Sequence, residues 1–380
     1  MRKKHLIGLD IARFCAALAV VFYHLGALYL VDPSRPFMAR IIDTELIGAI
    51  AMSWSKYGWI GVQVFFVISG IVIAESIDGK TTWNYVRSRF LRLYPGVWVC
   101  TAISMGCIIA THQAPSEQWM ALWLRSSSIF PLGPWVDGAY WTLPVEMVFY
   151  ALMLACIGRS PRASSIVAWG LCLMSASFWA LYTFGPEQAS ISQWTRKVAG
   201  TFRFDAAFVQ YGIYFGLGIF ISRANGIGKA LAAVALCAPI CAVQIAKIAH
   251  HATDYMNVPV SGWIPFVTWL LAVTTIIVTI HKNDAITGLI GERVIRMVRN
   301  CGLATYPLYL LHVTVGFAAI SVGMSAGLDS LVSWSIGLAV PVWLSFYVAT
   351  NLEPKVRDAT KLVIDKLRET QLQRPASKSG

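Results

Sequence analysis

The chain alternates between long apolar runs and short polar, mostly basic stretches through nearly its whole length. Ten runs stand out, at 6–30, 58–77, 95–112, 139–158, 166–184, 206–222, 230–249, 263–281, 302–322 and 331–350. At about 1.5 Å per residue, runs of this length cross the roughly 30 Å hydrocarbon core of a bilayer as helices. A helix satisfies its own backbone hydrogen bonds there, which an open strand does not. The pattern therefore predicts an all-α, polytopic integral membrane protein with about ten transmembrane helices in one bundle. Residues 1–352 form one transmembrane domain and 353–380 a basic cytoplasmic tail, partly disordered. Within that tail, 355–369 predict a surface helix on anionic lipid. Gly212, Gly216 and Gly218 predict close helix packing.

Composition fits the pattern. The 380 residues are 57% hydrophobic and only 13% charged, with a mean hydropathy of +0.60, whereas a soluble domain carries about 25% charged residues. A net charge of +12 raises the question of nucleic acid. Its distribution answers against that, because the basic residues gather in alternate loops. Of the 31 Lys and Arg, 22 fall on the side holding the N-terminus and 7 on the other, with Arg13 and Lys247 inside spans. The positive-inside rule then places both termini in the cytoplasm of a plasma-membrane protein, and an even number of spans agrees. No Ala-x-Ala-like cleavage site follows the first run, so it is expected to remain as a span. The eight cysteines lie mostly in or at the ends of apolar runs without paired metal spacing, so neither a disulfide framework nor a metal site is expected.

Arg13 and His24 sit inside the first run, where an ionisable group costs several kcal/mol unless it faces a polar interior. Eleven helical residues turn through about 1100°, so the two side chains share one face, roughly 16 Å apart along the axis. Asp10, one turn before Arg13, is expected to pair with it. His24 and Glu146 fall at similar depth in the outer third of the membrane, and a carboxylate beside a histidine makes a general base. The same pair also fits a purely structural role for two buried polar groups. Arg89 and Arg92, three apart in the loop 78–94, suit phosphate oxygens or lipid headgroups alike. His312 lies mid-membrane, where one hydrogen bond to a neighbouring helix accounts for it as well as catalysis does.

Six segments in order along the chain resemble the membrane-bound acyltransferase 3 family. Arg13 and His24 match its arginine, ten residues, histidine motif. Gly61-Val-Gln-Val-Phe-Phe-Val-Ile-Ser-Gly70 resembles its glycine, double phenylalanine and Ser-Gly segment, and Arg89-Phe-Leu-Arg92 its Arg-x-x-Arg motif. Trp141-Thr-Leu-Pro-Val-Glu146-Met-Val-Phe-Tyr150, Tyr306-Pro-Leu-Tyr-Leu-Leu-His312 and Glu353-Pro354 resemble the later segments. Pro144 stands where a small polar residue is usual, and a local kink is expected.

The resemblance implies transfer of an acyl group, usually acetyl from acetyl-CoA as donor substrate, to a hydroxyl of a glycan or small molecule such as a macrolide. It also implies possible contact with polysaccharide-biosynthesis machinery and no permanently bound cofactor. By the same resemblance His24, Glu146 and His312 form the catalytic set. Arg13, Arg89, Arg92, Ser69, Tyr150 and Tyr309 bind donor or substrate, with His312 positioning the thioester or steadying an oxyanion. The appended hydrolase-like domain of some members is not expected here, so the membrane domain itself is expected to meet the acceptor. The rival class is a proton- or glycan-coupled transporter, which predicts inverted repeats or broken midplane helices; neither stands out in the sequence.

Overall fold

A computed structural model describes residues 6–28, 53–199 and 204–372. Each of the ten expected runs is met by helix. α1 (Ile7–Phe22) runs into a π-turn at Tyr23–Leu28, followed by α2 (Ile60–Ser76) and the 30-residue α3 (Thr82–Thr111). The short α4 (Trp119–Ser127) and a 3-10 turn (Gly138–Trp141) lead to α5 (Thr142–Leu154). Next come α6 (Pro161–Phe184), α7 (Ser190–Ala199), α8 (Phe204–Arg223), α9 (Ile227–Met256) and α10 (Trp263–His281). The chain ends with α11 (Asn283–Leu289), the 34-residue α12 (Glu292–Ser325), α13 (Ser330–Tyr347), a π-turn at Val348–Leu352 and α14 (Glu353–Leu372). Among the described residues no strand occurs, and eight helices are long and apolar enough to cross a membrane.

Burial sorts these helices into an inner and an outer set. The apolar windows of α2 and α12 are 78% and 72% buried, against 28% for α9, α10 and α13. A helix apolar all round yet buried belongs at the centre of a bundle, and one that stays exposed presents its apolar face to lipid. α2 packs on α1, α8 and α10, while α12 packs on α1, α3 and α13. The α2–α8 crossing is close enough to require glycine on both sides. A side chain at Gly70 would strike the Phe215 carbonyl, and one at Gly218 the Val67 carbonyl. A side chain at Gly216 would meet Cys172 and the Ala168 carbonyl of α6, so this glycine run serves packing on two faces.

Three expectations change. Arg89 and Arg92 are not in a loop: α3 begins at Thr82, with Thr81 Oγ1 accepting from Asn84 N, and runs on through Pro95. The charges at 80–92 end the apolar run without ending the helix. The fourth run is not one helix either, because α5 has 13 residues and the turn before it is buried, with Ala139 and Tyr140 each 1% exposed. Irregular backbone is tolerated at such depth only when protein surrounds it. Pro144 makes no interior kink. It is the third residue of α5, in the first turn, where a backbone N–H has no intrahelical partner to lose. The tail forms α14 as far as Leu372, with Arg87 Nη2 bonded to both Asp365 oxygens at 2.6 Å, fastening α14 to α3. Residues 373–380, expected to be disordered, lie outside the described residues.

Candidate functional site

α1, α2, α3, α5 and α12 enclose one cavity of about 130 Å³, roughly ten times the volume one ordered water needs. Seven of the nine sequence-derived site residues line it: Arg13, Ser69, Arg89, Arg92, Glu146, Tyr150 and Tyr309. α3 supplies the two arginines three residues apart, so both guanidinium groups share one helix face. Arg89 lies over the Tyr85 ring at 5.9 Å and the Tyr150 ring at 5.6 Å, and Arg92 over Tyr306 at 5.2 Å. Arg92 Nη1 is 4.0 Å from Glu353 Oε1, and Arg13 Nη1 is 3.5 Å from Asp10 Oδ1 as its spacing predicts. Among the described residues Arg89 has no carboxylate partner, and its buried Nε has no hydrogen-bond acceptor. Three guanidinium groups and one carboxylate line the cavity, with Asp10 and Glu353 paired to two of the arginines from outside its lining.

Glu146 does not orient His24. Its Oε1 accepts from Tyr150 OH at 2.6 Å and Ser69 Oγ at 3.2 Å. Shared depth had suggested the pairing, but depth fixes position along the membrane normal and says nothing of direction around the bundle. The carboxylate instead holds Tyr150, the ring beneath Arg89, one helical turn on from itself. Tyr85 OH adds a bond to the Tyr150 carbonyl at 3.2 Å, closing a small network around that arginine.

His24 is paired with His312: Nε2 of His312 lies 3.1 Å from Nδ1 of His24, with ring centroids 5.0 Å apart. Each Nδ1 also faces a carbonyl, His24 toward Val20 at 3.0 Å and His312 toward Tyr309 at 2.9 Å. Carbonyl oxygens only accept, so each Nδ1 carries the hydrogen and His312 Nε2 is the acceptor between the rings. That assignment leaves the lone pair of His24 on Nε2. His312 is 0% exposed while His24 is half-buried, so His24 is the reachable member. With its Nε2 engaged, His312 is placed to orient the partner ring rather than to steady an oxyanion.

The π-turn alters the helical spacing between Arg13 and His24. Tyr23–Leu28 adds a residue to the turn that carries His24, a device found mostly at functional sites. The Leu25 carbonyl within it accepts from Trp334 Nε1 at 2.7 Å. Tyr309 joins cavity and pair: its ring lines the cavity, its carbonyl holds His312, and its hydroxyl is 3.2 Å from Thr142 Oγ1.

Sequence reasoning missed Thr142 and Asp137. Asp137 caps the turn before α5 through Oδ1 to Ala139 N at 2.9 Å, and its Oδ2 accepts from Val313 N and Thr314 N at 3.1 Å each. Those N–H donors satisfy a carboxylate that is only 2% exposed. An Asp-Gly pair ahead of Trp141 was the available signal, as a helix-cap signature.

Comparison with known proteins adds the family. An acyltransferase domain model matches residues 6–350. The peptidoglycan O-acetyltransferase OatA of Listeria monocytogenes is 22% identical over 82% of this chain and 49% of its own length. The acyltransferase MdmB of Streptomyces mycarofaciens is 29% identical over 40% of this chain and 38% of its own. A sodium-dependent glucose transporter 1 of Danio rerio is 26% identical over 42% of this chain and 27% of its own. The chain spans at most about half the length of these curated relatives. No solved structure matches it. With the family model covering nearly every described helix of the bundle, the chain belongs to the acyltransferase 3 family.

Proposed function

We propose that the protein is a multi-pass membrane O-acyltransferase that takes an acetyl group from acetyl-CoA at the cytoplasmic face and gives it to a hydroxyl of a cell-surface or exported glycan. The observation that carries this reading is the His24–His312 pair standing one turn of α12 beyond a cation-lined cavity, with Tyr309 common to both. Arg89 and Arg92 face the cavity with forks suited to phosphate, and the uneven Lys and Arg distribution supports a cytoplasmic location for that end. The Listeria relative's printed activity supports a glycan as acceptor; a small molecule is the alternative acceptor class.

In the reaction, the donor's phosphates rest on Arg89 and Arg92 and its thioester reaches Tyr309. The acceptor hydroxyl gives its proton to His24 Nε2, and its oxygen bonds to the thioester carbonyl carbon. The carbon–sulfur bond then breaks, and the proton on His24 passes to the departing thiolate. His312 fixes the His24 ring and shares the charge that forms on it. The Tyr309 hydroxyl faces the cavity as a donor for the developing oxyanion. Glu146 and Ser69 hold Tyr150 against Arg89.

The test is release of label from radiolabelled acetyl-CoA by the purified protein, with His24→Ala alongside, and mass spectrometry of surface glycan from cells with and without the gene. Label transferred or hydrolysed by wild type alone supports the enzyme. Equal turnover by His24→Ala sinks it. Uptake of an unmodified sugar into vesicles, without acyl transfer, would instead favour a carrier like the glucose transporter relative.

A further inference from the structure

We propose that Asp137 is a positioning residue for the histidine pair, pinning the backbone just after His312 and supplying the negative charge behind His24. This rests on the acyl-transfer reading above. The Tyr309 carbonyl, one turn before Val313 in α12, receives His312 Nδ1 at 2.9 Å. Asp137 Oδ2 takes the Val313 and Thr314 N–H groups at 3.1 Å each. Thr314 Oγ1 bonds to the Val136 carbonyl, so the loop and α12 are tied at two successive residues.

The consequence for chemistry is direct. The carboxylate holds the backbone directly after His312, and the Tyr309 carbonyl fixes which nitrogen of that residue carries hydrogen. Nε2 is then the acceptor that His24 needs. Replacing the carboxylate with an amide exchanges two charge-assisted bonds beside His312 for weaker neutral ones and loosens the loop against α12. The His312 ring would lose part of its aim.

The charge acts as well. Asp137 is 2% exposed, and a buried anion near an imidazole favours the imidazolium. Cys100 of α3, Tyr140 of its own turn, Tyr309 of α12 and His24 of the π-turn lie within reach of its charge, and Tyr23 flanks His24. Glu146 and the three arginines line the cavity beyond Tyr309. Asp137 is thus the carboxylate on the histidine side of that ring.

The experiment is the pH dependence of kcat/KM for acetyl transfer, using the full-length protein in detergent or liposomes, for wild type, His24→Ala, Asp137→Asn and Thr314→Val. The buried anion favours the charged form of the histidine pair, so Asp137→Asn should move the acid limb to lower pH by about half a unit or more. It should also cut kcat about tenfold or more while donor KM stays within about twofold. Thr314→Val loosens the same loop without touching charge and should leave the limb in place. An Asp137→Asn limb that coincides with wild type overturns the proposal, whatever the rate. If Asp137→Asn does not fold, Asp137→Glu replaces it. A lowered kcat with the limb unmoved supports the proposal, and wild-type kcat or a displaced limb overturns it. An inactive but folded wild type overturns the acyl-transfer reading and this inference together. An active wild type with inactive His24→Ala and an unshifted Asp137→Asn overturns this inference alone.

Discussion

His312 Nε2 lies 3.1 Å from His24 Nδ1, although 288 positions of sequence separate the two residues. One histidine is buried and bonded to backbone, and the other is reachable. Such a pair divides labour, because the buried ring sets the tautomer and the exposed ring exchanges the proton. His24→Ala should therefore lower transfer about 10²- to 10⁴-fold, the usual worth of a general base. His312→Phe keeps the ring volume and leaves His24 in place without orientation, so it should lose less, and single-turnover kinetics of both variants would rank them.

Arg89 and Arg92 are not equivalent. Arg92 already faces Glu353 at 4.0 Å, whereas Arg89 has an unpartnered buried Nε. Arg89→Lys should raise the donor KM about tenfold with kcat nearly unchanged, since a lysine offers no fork for phosphate. Arg92→Lys should have the smaller effect. Donor titrations at two salt concentrations would also show a weaker salt dependence for Arg89→Ala than for wild type.

At the α2–α8 crossing, Gly70→Ala should cost about 1–3 kcal/mol, because the added methyl meets the Phe215 backbone, which cannot move aside. Thermal unfolding in detergent would show it as a lowered Tm with no change in donor KM for the fraction still folded.

The bundle was legible in the hydrophobic pattern because long unbroken apolar runs satisfy their backbone in lipid only as helices, although eight of the ten runs, and not all, give helices long and apolar enough to cross among the described residues. Seven site residues of one cavity were legible as motif members, but what they touch was not. Hydropathy gives the depth of Glu146 and His24 and leaves open which way each faces, which is why Glu146 belongs with Tyr150. That partner was within reach of sequence, since Tyr150 is four residues on and one turn away. The π-turn at Tyr23–Leu28 has no comparable signal: its residues would fit an α-helix equally well, and the extra residue is held by contacts such as Trp334 to the Leu25 carbonyl. Asp137 was hidden for another reason, its partners Val313 and Thr314 lying 176 and 177 positions away. The helical start of α3 at Thr82 was masked by the charged residues of its first turns.

Tyr309 stands where the cavity ends and the histidine pair begins, and its neighbours Leu310 and Leu311 are wholly buried. In the proposed reaction an acetyl group and a hydroxyl proton change places beside this packed stretch, so each turnover moves no net charge and need not draw on the membrane potential of the cell that uses it.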